Sequence, residues 1–325
     1  MAVYTDLGAE TLAELIAAYD VGELTSAKGI AEGISNSNWL VETTGRDGHG
    51  GRFILTLYER RIDARELPFF LALLDHLAAE GCAVPATIHD RDGASLRQVD
   101  GRAAALIEFL PGVSPTRPSP AQARAVGAAL ARVHLAGANF ALSRRDRLDP
   151  PANLATLERA GFEGLVAIDP ALTEAVDWAG QVIARWPKDL PSSIIHSDLF
   201  PDNVLMLGDR VTGLIDFYFA CSGMMAYDLA VTHAAWAFER TGQAFAPAIG
   251  SALLEGYGSV RPLRDEERAT LPLLAEGACL RFTASRAEDW LDTPAGAQVM
   301  RKDPMDFLNR WKFYRERGAA AFANR

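Results

Sequence analysis

At 325 residues, with 49% hydrophobic and 23% charged positions, the chain is long enough for two lobes and a substantial buried core. A net charge of -10 argues against a nucleic-acid binder, because a phosphate backbone demands a basic face, and it leaves small or cationic substrates open. Cys82, Cys221 and Cys279 are scattered without C-x-x-C spacing, which supports neither a disulfide framework nor a zinc site and fits a reducing cytoplasm. No stretch approaches the roughly 20 apolar residues of a membrane helix. The acids and amphipathic pattern of Met1 to Tyr19 do not read as a secretory signal.

In chain order, the spacing of Leu12, Leu15, Ile16 and Tyr19 predicts a short first helix. Trp39 to Thr43, a glycine-rich turn from Gly45 to Gly51, and Phe53 to Tyr58 predict a β-hairpin. Leu67, Phe70, Leu71, Leu74 and Leu77 mark the helix that follows, and Val84 to Ile88 and Ala103 to Phe109 add strands. Residues 1–108 are therefore expected to be a small sheet-rich lobe. At Phe109-Leu110-Pro111-Gly112 the character changes, and Val113 to Pro120 carries three prolines and little apolar periodicity. Within residues 109–325, helices are expected over Pro120 to Ala136, Pro170 to Trp186, Tyr227 to Phe238, Phe245 to Tyr257, Arg264 to Arg286 and Asp303 to Arg317. No internal repeat or low-complexity segment interrupts them.

The most informative run is Ile195-His196-Ser197-Asp198-Leu199-Phe200-Pro201-Asp202-Asn203, answered by Leu214-Ile215-Asp216-Phe217. A strand-like Ser193 to Ile195 leads into it. Val204 to Leu207, the turn Gly208-Asp209, and Val211 to Ile215 link the two runs as a hairpin, which is expected to bring Asp216 back beside Asn203. Singly, each acid reads equally as an Asx turn or a cap. The order of acid, amide, hairpin and second acid points instead to phosphoryl transfer from MgATP, which needs a carboxylate near the attacking hydroxyl and a carboxylate and an amide oxygen to hold Mg²⁺. Asp198, Asp216 and Asn203 are those groups. The architecture expected is α+β: a two-lobed protein-kinase-like fold with a small sheet-rich N-terminal lobe and a larger, mostly helical C-terminal lobe bearing the acids.

Gly29 to Asn38 is the candidate phosphate-covering loop. The glycines Gly29 and Gly33 permit tight turns, and main-chain N–H groups with Ser35, Asn36, Ser37 and Asn38 are suited to phosphate oxygens. The run lacks the Lys-Ser/Thr ending of a P-loop, so its position in the chain carries the argument. Where a protein kinase has a strand lysine, this chain has Phe53-Ile54-Leu55-Thr56, and Lys28 is the candidate replacement. Glu66 suits the dipole of the helix it begins.

With these motifs in place, the sequence resembles the aminoglycoside phosphotransferase-like kinases, and within them the bacterial homoserine kinases of that fold. The resemblance runs through Val3-Tyr4-Thr5-Asp6, Lys28-Gly29-Ile30-Ala31-Glu32-Gly33, Phe53 to Glu59, Leu67-Pro68-Phe69-Phe70, Ile215 to Cys221 and Tyr227-Asp228-Leu229-Ala230. It implies transfer of the ATP γ-phosphate to the hydroxyl of L-homoserine, the step before threonine synthase, in a cytoplasmic monomer or homodimer that engages neither nucleic acid nor membrane. By motif match it implies Asp198 as the catalytic acid-base residue and Asn203 and Asp216 as Mg²⁺ ligands, with His196 packing the loop. Homoserine carries an ammonium and a carboxylate. Asp202, Tyr227 and Asp228 are candidates for the first, and Arg281, Arg286 and Trp290 for the second. His134 and His233 are expected to be ordinary core or surface residues.

Ser197 stands where these kinases usually have alanine, and Ser222-Gly223-Met224-Met225 and Thr283 to Trp290 also depart from their pattern. Two competing readings remain open at this point: a kinase of another small amino alcohol or an aminoglycoside, and a catalytically idle nucleotide-binding relative. The complete acid-amide-acid set argues against the second.

Overall fold

Glycines at 45, 48 and 50 adopt φ of 75°, 78° and 79°, and this left-handed backbone turns the predicted hairpin. A side chain at position 45 would meet the backbone of Gly50 at 2.9 Å, so the turn is closed tightly on itself. The computed structural model describes residue 5 and residues 7–30, 36–59, 63–239, 241–293 and 301–323. Within them the chain divides into two compact units, Met1–Gly112 with Thr212–Tyr218, and Val113–Val211 with Phe219–Arg325.

The first unit begins with α1 (Ala9–Ala17), followed by β1 (Leu24–Ile30), β2 (Asn36–Thr43), β3 (Gly51–Tyr58), α2 (Leu67–Ala79), β4 (Thr87–Ile88), β5 (Arg97–Val99) and β6 (Arg102–Glu108). The strands form one antiparallel sheet in the order β1-β2-β3-β6-β4, with β5 also paired to β6. Leu12, Leu15 and Ile16 of α1, with Tyr19 just beyond it, pack on Trp39, Val41, Leu55, Leu57 and Leu106 of the sheet. Seven apolar residues of α2 are buried, from Leu67 to Leu77, as its predicted stripe requires.

The second unit is mostly helical. It holds α3 (Pro120–Gly137), α4 (Pro150–Ile168), α5 (Glu174–Arg185), β7 (Ser192–Ile195) and β8 (Val204–Leu207). Strand β9 (Arg210–Leu214) then carries the chain into the first unit, and the second resumes with β10 (Cys221–Met224), α6 (Met225–Trp236), α7 (Pro247–Val260), α8 (Asp265–Asp292) and α9 (Met305–Arg317). β8 and β9 form a two-stranded ribbon, and β10 pairs antiparallel with β7, setting Cys221 opposite Ile195. All twelve residues of α6 are buried, so it is the core helix of this unit.

Several elements differ from the sequence expectation. The expected division at 108/109 corresponds to a break between Gly112 and Val113, and Thr212–Tyr218, with Asp216, belongs to the first unit. The reason is contact: the Leu214 N–H donates to the Ala83 carbonyl at 2.7 Å, and the Tyr218 ring packs edge-on against Phe70 and Tyr58. Gly29, expected to open a loop, lies on β1 together with Lys28 before it. Helix α4 was not expected, because Gly161 at φ 71° kinks it into short pieces and Phe162 points out at 72% exposure, which breaks the apolar rhythm. The strand expected over Val84 to Ile88 shrinks to β4.

Helices α3 and α7 approach so closely that glycine is required at the crossing. A Cβ at Gly256 would collide with the Arg124 carbonyl, and one at Gly127 with the Leu253 carbonyl. Gly256→Ala is therefore expected to destabilise the protein by about 1–3 kcal/mol through overpacking against backbone. Urea unfolding of the purified variant checks this, and an unchanged midpoint would contradict it.

Candidate active site

Strand β7 delivers His196, Ser197 and Asp198 into a turn held by a set of hydrogen bonds. Ser197 has φ +61°, a left-handed value for a residue with a side chain. Such a conformation costs about 1–3 kcal/mol and persists where the surroundings over-determine it. The Asp198 N–H donates to His196 Nδ1 at 3.2 Å, and the Asp198 carbonyl accepts from the Phe200 N–H at 2.8 Å. A 3₁₀ turn over Pro201–Asn203 then folds Asn203 back, so that its Nδ2 donates to the Asp198 carbonyl at 2.8 Å and approaches Asp198 Oδ2 at 3.4 Å. With the amide nitrogen committed to Asp198, the other amide atom, Oδ1, is the one left to accept or coordinate.

The turn is anchored from beneath by α6. Asp228, wholly buried, accepts the His196 N–H on Oδ2 and the Ser197 N–H on Oδ1, both at 2.7 Å. His134 of α3 approaches the same Oδ2 with Nε2 at 2.9 Å and Tyr257 OH with Nδ1 at 2.8 Å. Arg261 continues the chain, donating to Tyr257 OH at 3.3 Å and to Glu267 at 2.8 Å. Burial works to raise the Asp228 pKa, but the bond to His134 and the surrounding donors prevail and hold it below the ordinary value. The rest of the loop is docked by Trp236, whose indole donates to the Leu199 carbonyl at 2.9 Å, and by Phe200 against Phe282 and Phe307.

This arrangement revises the expected ammonium and carboxylate ligands. Asp228 presents no surface to a ligand, because both oxygens face backbone donors inside the core. Arg281, 3% exposed, donates to the Ser197 carbonyl and to Ser197 Oγ, and so serves the loop. Tyr227 is buried, bonded to Arg281 and packed edge-on against Trp186. Arg286 is differently placed. It donates to Asp306 Oδ2 at 2.9 Å and to the Asp303 carbonyl, lies over the Phe307 ring, and feels the charge of Asp198. Burial lowers its pKa, with Asp306 and Asp198 acting the other way. Asp202 is exposed and its carbonyl accepts from Ser114, while Trp290 is half-buried beneath the Arg301 guanidinium.

In the first unit, Asp216 also has a left-handed backbone, φ +65°. Two residues on, the Tyr218 hydroxyl donates to Tyr58 OH at 3.2 Å and is bonded to Thr56. Burial pushes Tyr58 up to about 12, so this hydroxyl stays neutral at physiological pH. Thr56, at the strand-lysine position, donates to Asn38 Oδ1 at 2.9 Å, so the position is filled by a neutral hydroxyl network. Lys28 and Gly29 are exposed on β1 opposite Leu40 and Trp39. Asn36 and Ser37 are buried on β2, and Ser37 Oγ donates to Glu59 at 2.9 Å, which commits it inside the sheet rather than to a phosphate. Gly33 and Ser35 lie outside the described residues.

Among the described residues no cluster of three or more His, Cys, Asp or Glu is disposed to hold a metal. The donors at Asn203 and Asp216 are hard oxygens. They fit Mg²⁺, which is usually bound by one or two carboxylates together with substrate phosphates and water rather than by an all-protein cage. The residues that sequence reasoning missed are Tyr257, Arg261 and Glu267, while His134, expected to be an ordinary core or surface residue, is a core residue bonded to Asp228. One signal pointed to them: Asp228 is the lone acid in the mostly apolar run Met225–Trp236, and a buried acid must find partners.

A family model described as the phosphotransferase enzyme family matches residues 26–263. The chain is 47% identical over 317 residues to a homoserine kinase of Granulibacter bethesdensis, covering 97% of each sequence, and 48% identical over 319 residues to one of Nitrobacter winogradskyi, covering 98% of this chain and 96% of that one. Among solved structures, an amicoumacin kinase in complex with AMP-PNP and Ca²⁺ superposes with a TM-score of 0.70 at 14% identity, over 97% of this chain and 94% of that one. A spectinomycin phosphotransferase gives 0.69 at 16% identity, over 98% and 99%. These two likenesses establish the two-lobed protein-kinase-like fold.

Replacing Asp228 by Asn keeps the shape but turns an N–H₂ or a weaker acceptor toward two backbone donors and His134. The expected loss is about 3–5 kcal/mol, the cost of breaking a buried charged network. Because the folded pKa is depressed, this stabilisation is fully present above the ordinary value of 3.8 and is lost as pH falls through the lower folded value. Urea unfolding from pH 6 to pH 2 should therefore show an acid-dependent loss in the wild type that Asp228→Asn lacks in that window.

Proposed function

Since this chain belongs to the phosphotransferase enzyme family, we propose that it transfers the γ-phosphate of MgATP to the side-chain hydroxyl of L-homoserine, giving O-phospho-L-homoserine and ADP. The reaction class is an ATP-dependent kinase with an alcohol acceptor, and its place is threonine biosynthesis. One observation carries the acceptor: near-half identity to homoserine kinases along almost the whole of both chains, with no large insertion or truncation to rebuild the substrate region. No helix of the described residues is long and apolar enough to cross a membrane, and a cytoplasmic location is part of the proposal.

In this reading Asp198 accepts the proton of the homoserine hydroxyl. The transition state of phosphoryl transfer is loose, so the aim of the carboxylate matters more than its strength as a base. Asn203 binds Asp198 through Nδ2, which restrains the carboxylate and leaves Oδ1 as the amide's accepting atom. Asn203 and Asp216 would hold Mg²⁺, which when bound neutralises charge developing on the phosphates. Lys28, Gly29 and Asn38 are assigned to the nucleotide phosphates, with Gly33, Ser35 and Asn36. Arg286 is assigned to the homoserine carboxylate: its guanidinium is pre-set by Asp306 and the Phe307 ring and is electrostatically coupled to Asp198. Asp202 and Trp290 remain candidates at its margin.

Release of ADP with MgATP and homoserine, serine, threonine, choline or kanamycin tests the acceptor directly; a kcat/KM for homoserine no higher than for the others would overturn it. Asp198→Asn is expected to lower kcat by about 10²–10⁴-fold, the range of a general base, with little change in KM for ATP. Asp216→Asn should instead raise the Mg²⁺ concentration needed for half-maximal rate. Wild-type turnover in both variants would refute the assignments.

A further inference from the structure

Ser197 combines three properties that do not usually coincide: it precedes the proposed proton acceptor, it carries a side chain, and its φ is +61°. The backbone bond to Asp228 Oδ1 secures its N–H, and the side chain and carbonyl are secured separately. The Ser197 hydroxyl donates to the Phe219 carbonyl at 3.1 Å and accepts from Arg281 Nη1 at 2.9 Å, so its donor and an acceptor lone pair are both used. The same Nη1 donates to the Ser197 carbonyl. Arg281 is itself immobilised, its guanidinium 5.2 Å from the Phe219 ring and 4.9 Å from the Phe282 ring, with Tyr227 bonded to it.

We infer that Arg281 and the Ser197 hydroxyl form a clasp that enforces the left-handed turn at residue 197 and thereby aims the Asp198 carboxylate, making both positioning residues for phosphoryl transfer. The inference rests on the assignment of Asp198 as proton acceptor. Its physical basis is that residue 197 gains by relaxing to negative φ, which would rotate the peptide leading into Asp198. A side chain that merely tolerated the strain would leave that relaxation open. Here the bonds from Arg281 grip both the carbonyl that would move and the hydroxyl beside it. The charge on Arg281 faces hydroxyls, a carbonyl and aromatic rings, which is the environment of a structural guanidinium and not of one awaiting a carboxylate ligand.

Steady-state kinetics of Arg281→Met, Arg281→Lys, Ser197→Ala, Asp198→Asn and the double variant Arg281→Met with Ser197→Gly test the clasp, with thermal unfolding recorded for each. Arg281→Met is expected to lower kcat by about 30-fold, the scale of a small misplacement of a reacting group, with KM for ATP and homoserine within about threefold of wild type. Ser197→Ala should lower kcat by about fivefold, since it removes only the hydroxyl bonds. Glycine adopts positive φ without a Cβ penalty, so adding Ser197→Gly to Arg281→Met should recover at least about fivefold in kcat.

A rise in KM for homoserine at unchanged kcat would make Arg281 a substrate contact and overturn the inference, as would an absence of recovery by glycine. Should Arg281→Met lack a cooperative unfolding transition, Arg281→Lys and Ser197→Ala decide the matter: a lowered kcat in both supports the clasp, and wild-type kcat in both refutes it. Asp198→Asn separates the two levels. Wild-type turnover there refutes the site assignment, whereas its inactivity alongside fully active Arg281 and Ser197 variants refutes the clasp alone.

Discussion

The carboxylate of Asp228, buried in α6 and shared between two consecutive backbone N–H groups, is the interaction on which the second unit's chemistry depends. Two adjacent N–H groups point at one acceptor only when the chain turns sharply, and the turn sets the direction in which Asp198 leaves the strand. An ionised carboxylate in a core is costly unless it is fully bonded, and here His134, Tyr257, Arg261 and Glu267 complete the bonding through α3, α7 and α8. Four helices are thus tied to one short loop by polar bonds, in addition to apolar packing.

Strain sits at two of the residues with assigned or adjacent roles. Ser197 and Asp216 are both non-glycine residues at φ above +60°, each in a separate unit of the chain. In the second unit the source of the restraint is visible in Asp228, Arg281 and the Phe219 carbonyl. Backbone held against its preference in this way is pre-set before any substrate arrives, which suits a transfer step governed by alignment more than by base strength. The neutral cluster of Thr56, Asn38, Tyr218 and Tyr58 shows the same economy in the first unit, where hydroxyls and an amide occupy a place that other kinases give to a lysine.

Much of the architecture was legible because apolar periodicity is local. The stripe Leu67 to Leu77 became α2, the alternation from Trp39 to Tyr58 became the β2–β3 hairpin, and the helix expected over Pro120 to Ala136 became α3. What escaped was built from weak local signals. Helix α4 is broken by Gly161, and β1 is almost wholly exposed, so neither offers a buried face to read. The site divided along the same line. The run around Asp198 and Asn203 stood out in the sequence, whereas the folding of the amide back on the acid is seen only in the structure. The assignment of Asp228 and Arg281 to a ligand failed because a charged residue near a motif looks the same in sequence whether it faces a substrate or a backbone.

The chain's sequence by itself determined the family, the reaction class and the type of those elements that carry a clear apolar period, since these rest on residue order, spacing and side-chain period. Only the tertiary structure decided which charges are spent inside the protein. Asp228, Arg281 and His134 come from helices separated by tens of residues, and their roles follow from burial and from the direction of hydrogen bonds. Those quantities arise when distant segments pack, and no local pattern encodes them.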